Sequence, residues 1–223
     1  MKFKEVTLYT SQIELQNTFY TEVLGLKNIT DTKNIISFKV RNTHIKFVKC
    51  NSSHPYHFAF NIPSNKTNEA LEWLKKRVEI QKDGQAEIVD FPAWNAKSIY
   101  FYDADKNILE FIARKNLDNK TVQPFSAEAL LEISEIGIAT NQFKEKFTHL
   151  TSELGLRKFG GGEAIFSAIG SERGLFILID KLQKDWFPTN DKAFSADFQT
   201  IFEVEQKTIR LTFKNDTITY EYL

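Results

Sequence analysis

The sequence predicts an α+β protein made of tandem βαβββ modules, with mixed sheets and two similar domains. Three observations lead there. A segment near the N-terminus recurs in the second half. Short runs of alternating apolar residues, which read as strands, are separated by amphipathic stretches with helical spacing. The same order of strand, helix and returning strands also recurs, more loosely, inside the first half.

The recurrence is the firmest of the three. Residues 5–29, EVTLYTSQIELQNTFYTEVLGLKNI, align without a gap on residues 135–159, EIGIATNQFKEKFTHLTSELGLRKF. Identical pairs include Glu5 and Glu135, Thr10 and Thr140, Gln12 and Gln142, and the Leu-Gly-Leu triplets that begin at Leu24 and Leu154. A period this long indicates a duplicated domain rather than a solenoid. In each copy an alternating strand (Val6, Leu8; Ile136, Ile138) precedes a Thr-Ser or Thr-Asn pair suited to cap a helix. The helix buries a stripe that includes Ile13, Phe19, Tyr20, Val23 and Leu24, and it ends at Gly25 or Gly155, where glycine supplies a left-handed C-cap. The strands NIISFKV and THIKFVKC follow, joined through Arg41 and Asn42.

The next unit opens with the strand HFAFNI. It continues through a helix over residues 64–78, with Ser64 or Asn65 as its cap and Ala70, Leu71, Trp73 and Leu74 facing inward. It closes with a hairpin in which the polar run Asp103-Ala104-Asp105-Lys106-Asn107 supplies the turn. The polar, Pro124-containing segment 116–126 reads as a linker between a first domain over 1–115 and a second over 127–223. The second half runs through GGGEAIFSAIG and GLFILID and finishes with TIRLTF and TITYEYL, turned at Lys214, Asn215 and Asp216. It is one helix short of a full set, and Phe159–Ala164 reads as a flexible turn. No phosphate-binding Lys-Ser/Thr or dinucleotide spacing accompanies its glycines.

Composition narrows the function. Twenty-nine basic residues balance 29 acidic ones, and no basic stripe is interleaved with aromatics, so the electrostatic footprint of a nucleic-acid binder is missing. No apolar run approaches the roughly 20 residues that span a bilayer, and the first residues lack the apolar core of a signal peptide. The expectation is a cytoplasmic protein with a small-molecule partner, without nucleic-acid or membrane partners, acting as a monomer or homodimer. Cys50 is the only cysteine, which excludes an internal disulfide and a thiolate zinc cluster within one chain.

The strand and helix EVTLYTSQIELQNTFYTEVLGLK, the strand HFAFNIP and the hairpin YFYDADKNILEF together resemble the vicinal oxygen chelate superfamily of glyoxalases, fosfomycin- and bleomycin-resistance proteins and extradiol dioxygenases. The resemblance implies that paired modules form a cup with a divalent ion at its base. The ligands would come from the first strand of each module and the last strand of the second, positions matched here by Glu5, His57 and Glu110. Strand alternation is compatible with this, because all three lie opposite the bulky apolar face of their strands. One imidazole with two carboxylates suits Fe, Mn, Ni or Zn better than calcium.

The position where related glyoxalases carry a fourth, carboxylate ligand holds Lys46. An ammonium there is either a counter-ion that replaces the metal or a substrate-binding group. The resemblance further implies that Glu110 or a neighbouring tyrosine, Tyr102, serves as catalytic base, and that Tyr9 and Trp94 line the cup. Two functions are compatible with this set. One is a metal-dependent isomerase, lyase, thiol transferase or dioxygenase; the other is a metal-free binding protein of the bleomycin-resistance kind. Glu135 repeats Glu5, but no histidine follows His149, so the second half is expected to buttress the first or form an interface.

Overall fold

The computed structural model describes residues 1–223. The first module comprises β1 (Lys2–Thr10), α1 (Ile13–Thr18), β2 (Asn28–Asp31), β3 (Ile35–Val40) and β4 (Thr43–Lys49). The second comprises β5 (His57–Ile62), α2 (Thr67–Lys75), the short β6 (Ile80–Gln81) and β7 (Val89–Phe91), β8 (Ala96–Tyr102) and β9 (Ile108–Arg114). The third repeats the first as β10 (Glu132–Thr140), α3 (Phe143–Thr148), β11 (Lys158–Gly161), β12 (Phe166–Ser171) and β13 (Gly174–Asp180). A fourth consists of strands alone: β14 (Phe198–Val204), β15 (Lys207–Lys214) and β16 (Thr217–Tyr222). The expected α+β class, tandem modules and mixed sheets are all present, and the helix missing from the last quarter is indeed missing.

The duplication extends to detail. Both α1 and α3 run on into a π-helical turn, over Phe19–Val23 and His149–Glu153. Gly25 and Gly155 both follow with φ of +69°, the left-handed conformation a glycine adopts without a Cβ penalty. The Thr10 and Thr140 hydroxyls accept hydrogen bonds from the backbone N–H of Gln12 and Gln142 at 2.9 Å, holding the turn into each helix. The α2 boundary differs from expectation: Lys66, not Ser64 or Asn65, is the residue before the helix. Asn65 is used elsewhere, with its side-chain amide donating to the Thr121 carbonyl and accepting from the Thr121 N–H.

Strand order is decisive for the site. One sheet has seven strands in the order β16-β15-β14-β1-β4-β3-β2, and the other runs β11-β12-β13-β10-β5-β9-β8-β6, with β7 beside β8. The first module therefore pairs with the fourth, through antiparallel β1 and β14, and the second pairs with the third, through antiparallel β5 and β10. Each sheet takes strands from both sides of segment 116–126. This corrects the expectation that modules one and two share a cup. Successive modules are close in sequence, but hydrogen bonding at the open edge of a first strand goes to whichever edge matches its register.

A single cluster of 45 buried apolar residues draws on both sheets, so the two cups share one core. Phe3 of β1, Phe176 of β13 and Phe202 of β14 meet edge to face at its centre, with centroids 5.4 to 6.4 Å apart. Such pairs contribute about 0.5–1.5 kcal/mol each beyond the burial of their area. The hairpin turn is tied to the first helix region by Asp103, whose carboxylate accepts from Gln16, Tyr20 and Asn107 side chains at 2.8–2.9 Å. No helix is long and apolar enough to cross a membrane.

Candidate functional site

On β5, Phe58, Phe60 and Ile62 enter the common core, which leaves His57, Ala59 and Asn61 on the concave face. On parallel β9, Glu110 stands beside Ala59 on that same face, and on antiparallel β10 so does Glu135. The result is a buried cluster: His57 Nε2 lies 3.6 Å from Glu110 Oε2 and 3.8 Å from Glu135 Oε2. The three donor atoms fall within 4.8 Å of one another.

Neighbouring groups fix their orientation. His57 Nδ1 lies 3.2 Å from the Ile108 carbonyl, which can only accept, so Nδ1 carries a proton and the ring, when neutral, presents its lone pair at Nε2. Ser98 donates to Glu110 Oε1 at 2.5 Å. Arg114, fully buried at the end of β9, donates from Nη2 to Glu135 Oε1 and from Nε to Asn61 Oδ1. Its guanidinium also stacks 5.7 Å from the Trp94 ring centre.

The electrostatics follow from this crowding. Burial, and then repulsion from Glu135, push Glu110 up to about 7, against the pull of His57, Ser98 and Arg114. Burial alone would lower His57, but Glu135 and Glu110 outweigh it and hold the imidazole above its ordinary value. Tyr100, the cross-strand partner of Glu110, is driven well above the usual phenol range by burial and by both carboxylates, and so keeps its proton. With one buried arginine against two buried carboxylates, the cluster lacks a positive charge when His57 is neutral.

The donor set fits a first-row divalent ion. Metal–nitrogen and metal–oxygen bonds of about 2.0–2.2 Å place neighbouring ligand atoms roughly 3–3.5 Å apart, so the two histidine–carboxylate spacings of 3.6 and 3.8 Å need only a slight contraction. The imidazole also has the outer hydrogen bond, to a backbone carbonyl, that histidine ligands typically make.

The cluster forms the floor of a cavity of about 380 Å³, in which nine of the 13 lining residues are apolar. Phe91, Trp94, Tyr100, Phe166, Trp186 and Phe187 supply its aromatic walls. Trp186 comes from the strap over residues 181–197 that joins β13 to β14. Its ring packs over Gly137 so closely that a Cβ there would sit 2.6 Å from it, and it stands 5.2 Å from the His57 ring. Gly160 performs the same service for Trp94: a Cβ would lie 2.8 Å from the indole nitrogen. The glycines of Phe159–Ala164 thus admit a wall residue, in addition to turning the chain.

Of the residues singled out in the sequence, His57, Glu110 and Trp94 meet here. Glu5 does not. It lies in the seven-stranded sheet, and its carboxylate is 3.3 Å from Lys46 Nζ, an ion pair remote from the cluster in the pairing of strands. The correction has a simple origin: Glu135 occupies in β10 the place Glu5 occupies in β1, and only β10 borders β5. Lys46 pairs with Glu5 and does not line the cavity. Tyr9 is also on β1, where its backbone N–H donates to the Tyr56 hydroxyl, and it does not line the cavity. Tyr102 is tied up as well, donating to Asp191 of the strap at 2.5 Å, and burial with that bond pushes it up to about 12. Tyr100, two residues earlier on the same face, is the tyrosine of the cavity. The third module therefore supplies Glu135 to the buried cluster. The internal repeat marked Glu135 for this position, whereas Trp186 and Arg114 carried no sequence signal.

Comparison with solved structures yields a match along the full length. The crystal structure of a "putative dioxygenase" from Bacillus subtilis superposes with a TM-score of 0.67 at 12% identity, covering 100% of this chain and 84% of that one. The chain shares the fold of that protein. Shorter matches include a glyoxalase/bleomycin resistance protein/dioxygenase from Nocardioides, at 20% identity and TM-score 0.42 over 56% of this chain and 90% of that one. Another is a lactoylglutathione lyase from Agrobacterium tumefaciens, at 19% identity and TM-score 0.40 over 48% and 90%. No protein-family model matches the chain, and no curated protein sequence is similar to it.

Proposed function

We propose that this protein is a metal-dependent enzyme of the vicinal oxygen chelate type, acting on a small molecule by isomerisation or lysis, thiol transfer or dioxygenation. His57, Glu110 and Glu135 would hold the ion, which is Fe, Mn, Ni or Zn. The observation that carries this reading is the convergence of one imidazole nitrogen and two carboxylate oxygens within 4.8 Å at the floor of an apolar cavity. When bound, the ion supplies Lewis-acid polarisation of substrate oxygens.

The chain's own groups supply the rest. In the metal-free cluster Glu110 is pushed up to about 7; with the ion bound it would be ionised, and it would take a proton only on leaving the ion. Tyr100 keeps its proton and can donate a hydrogen bond to a developing negative charge. The aromatic walls exclude water and hold the substrate body, and Arg114 keeps Glu135 oriented.

A second reading is favoured by the same arginine. Arg114 neutralises Glu135, and a protonated His57 would neutralise Glu110, which leaves a metal-free cup that sequesters a ligand in the manner of bleomycin-resistance proteins. Elemental analysis separates the two. After incubation with each ion, the metal reading expects about one ion per chain, lost in His57→Ala. Absence of bound metal from both proteins would leave the sequestering cup.

A further inference from the structure

Asn61 follows Ala59 on the concave face of β5 and is fully buried. Its amide nitrogen donates to Glu132 Oε1 at 3.1 Å and to the Glu172 carbonyl at 2.9 Å. Both partners only accept, so the amide oxygen is the end that faces Arg114, where it accepts from Nε at 3.3 Å. Glu132, itself buried, is held from two further sides, by Asn42 Nδ2 and Arg173 Nη1, each at 3.2 Å. The Asn61 amide is therefore fixed by groups that are themselves fixed.

A bulge in β10 brings these groups together. Glu132 pairs with Asn61 and Glu135 with Ala59, so β10 advances three residues while β5 advances two. Without the extra residue, the two-residue period of a strand would put Glu132 and Glu135 on opposite faces. The repeated strand β1 has the same bulge between Phe3 and Glu5, but Lys2 stands where β10 carries Glu132. Glu5 accordingly joins no cluster of ligand-type side chains.

A guanidinium and a carboxylate commonly pair as a fork, with Nε and Nη2 each meeting one oxygen. Such a fork on Glu135 would take both of its oxygens, including the one 3.8 Å from His57 Nε2. Arg114 gives Glu135 only Nη2, because Nε is taken by Asn61. We infer that Asn61 is a positioning residue: by occupying Arg114 Nε it prevents the fork and leaves Glu135 Oε2 free to act as a ligand beside His57 and Glu110. The consequence for metal binding rests on the site proposed above, whereas the geometry does not.

The test combines crystal structures of the metal-free wild type and Asn61→Leu with Mn(II) affinities from equilibrium dialysis. Leucine is close to asparagine in size and offers Arg114 no acceptor. Asn61→Val, which suits a strand better, takes its place if circular dichroism shows the leucine variant unfolded. In the variant, Arg114 Nε and Nη2 should both reach Glu135, with Oε2 drawn away from His57, and Mn(II) should bind roughly 10- to 100-fold more weakly. A lysine ammonium cannot form the fork, so on an Arg114→Lys background the same change at Asn61 should cost less than about threefold. A variant whose Glu135 Oε2 still faces His57 would overturn the inference. So would an equally large loss of affinity on the lysine background, since that would make Asn61 merely structural. Mn(II) bound by the wild type with the variant's geometry unchanged defeats the inference alone. Absence of Mn(II) from the wild type defeats the metal enzyme alone, and the two crystal structures still decide what Asn61 does.

Discussion

Arg114 donates from Nη2 to one carboxylate oxygen of Glu135 and leaves the other turned toward His57, 3.8 Å from its Nε2. The arrangement splits the work of a single carboxylate between a permanent counter-charge and an open ligand position. Its cost is a buried guanidinium whose Nη1 has no partner.

Replacing Arg114 by Met should therefore destabilise the metal-free protein by about 3–5 kcal/mol, because two buried carboxylates then face each other without their cation. A divalent ion should restore part of the loss. Urea unfolding with chelator and with Mn(II) measures both, and an ion that stabilises wild type and variant equally would argue against a shared charge balance.

Glu135 and Glu5 offer a matched comparison, since they are equivalent in the duplicated unit. Glu135→Gln should weaken metal binding by at least the roughly 10- to 100-fold seen when even an outer-sphere partner is lost. Glu5→Gln should leave it unchanged, because Glu5 pairs with Lys46 in the other sheet. Equilibrium dialysis gives the affinities, and a Glu5 effect as large as that of Glu135 would contradict the site assignment.

The pH dependence has a defined sign. Glu110 rises from 4.5 to about 7 on folding, so its contribution to stability is fully present below pH 4.5 and is lost as pH climbs through about 7. His57, also raised, contributes fully below 6.5 and loses that contribution above its folded value. Both make the metal-free cluster less stable at pH 8 than at pH 6. Ion binding needs ionised carboxylates and a neutral imidazole, so affinity should increase with pH through about 7. Thermal unfolding at pH 6 and pH 8 should show the larger metal-induced rise in Tm at pH 8; a larger rise at pH 6 would remove Glu110 and His57 from the ligand set.

Gly137→Ala probes the packing of Trp186, with a lesser contact 3.3 Å from the His57 carbonyl oxygen. The added methyl would stand 2.6 Å from the Trp186 ring and must push it off the floor of the cavity. Tryptophan fluorescence should shift to the red, while far-UV circular dichroism stays unchanged. An unaltered emission spectrum would mean that Trp186 packs elsewhere in solution.

Much of this protein was legible from local pattern. The alternation of Phe58, Phe60 and Ile62 against His57, and of Leu109 and Phe111 against Glu110, assigned both site residues to one face, because strand geometry has a period of two wherever the strand sits. The repeat of residues 5–29 located the equivalent modules for the same reason: helix entry at Thr10 and exit at Gly25 depend on near neighbours. Tyr102 illustrates the limit of such patterns. It shares a face with Tyr100, and only the position of Asp191, 89 residues away, decides which of the two hydroxyls is occupied.

The sequence by itself determined the modules, their faces and two of the three clustered donors. The tertiary structure alone decided that β10 rather than β1 lies against β5, and hence that Glu135 completes the site, that Arg114 balances it, and that the strap closes it with Trp186. The physical reason is that periodicity and capping are local, whereas the edge on which a strand finds its partner is settled by long-range hydrogen bonding and by the burial of one core shared between both sheets.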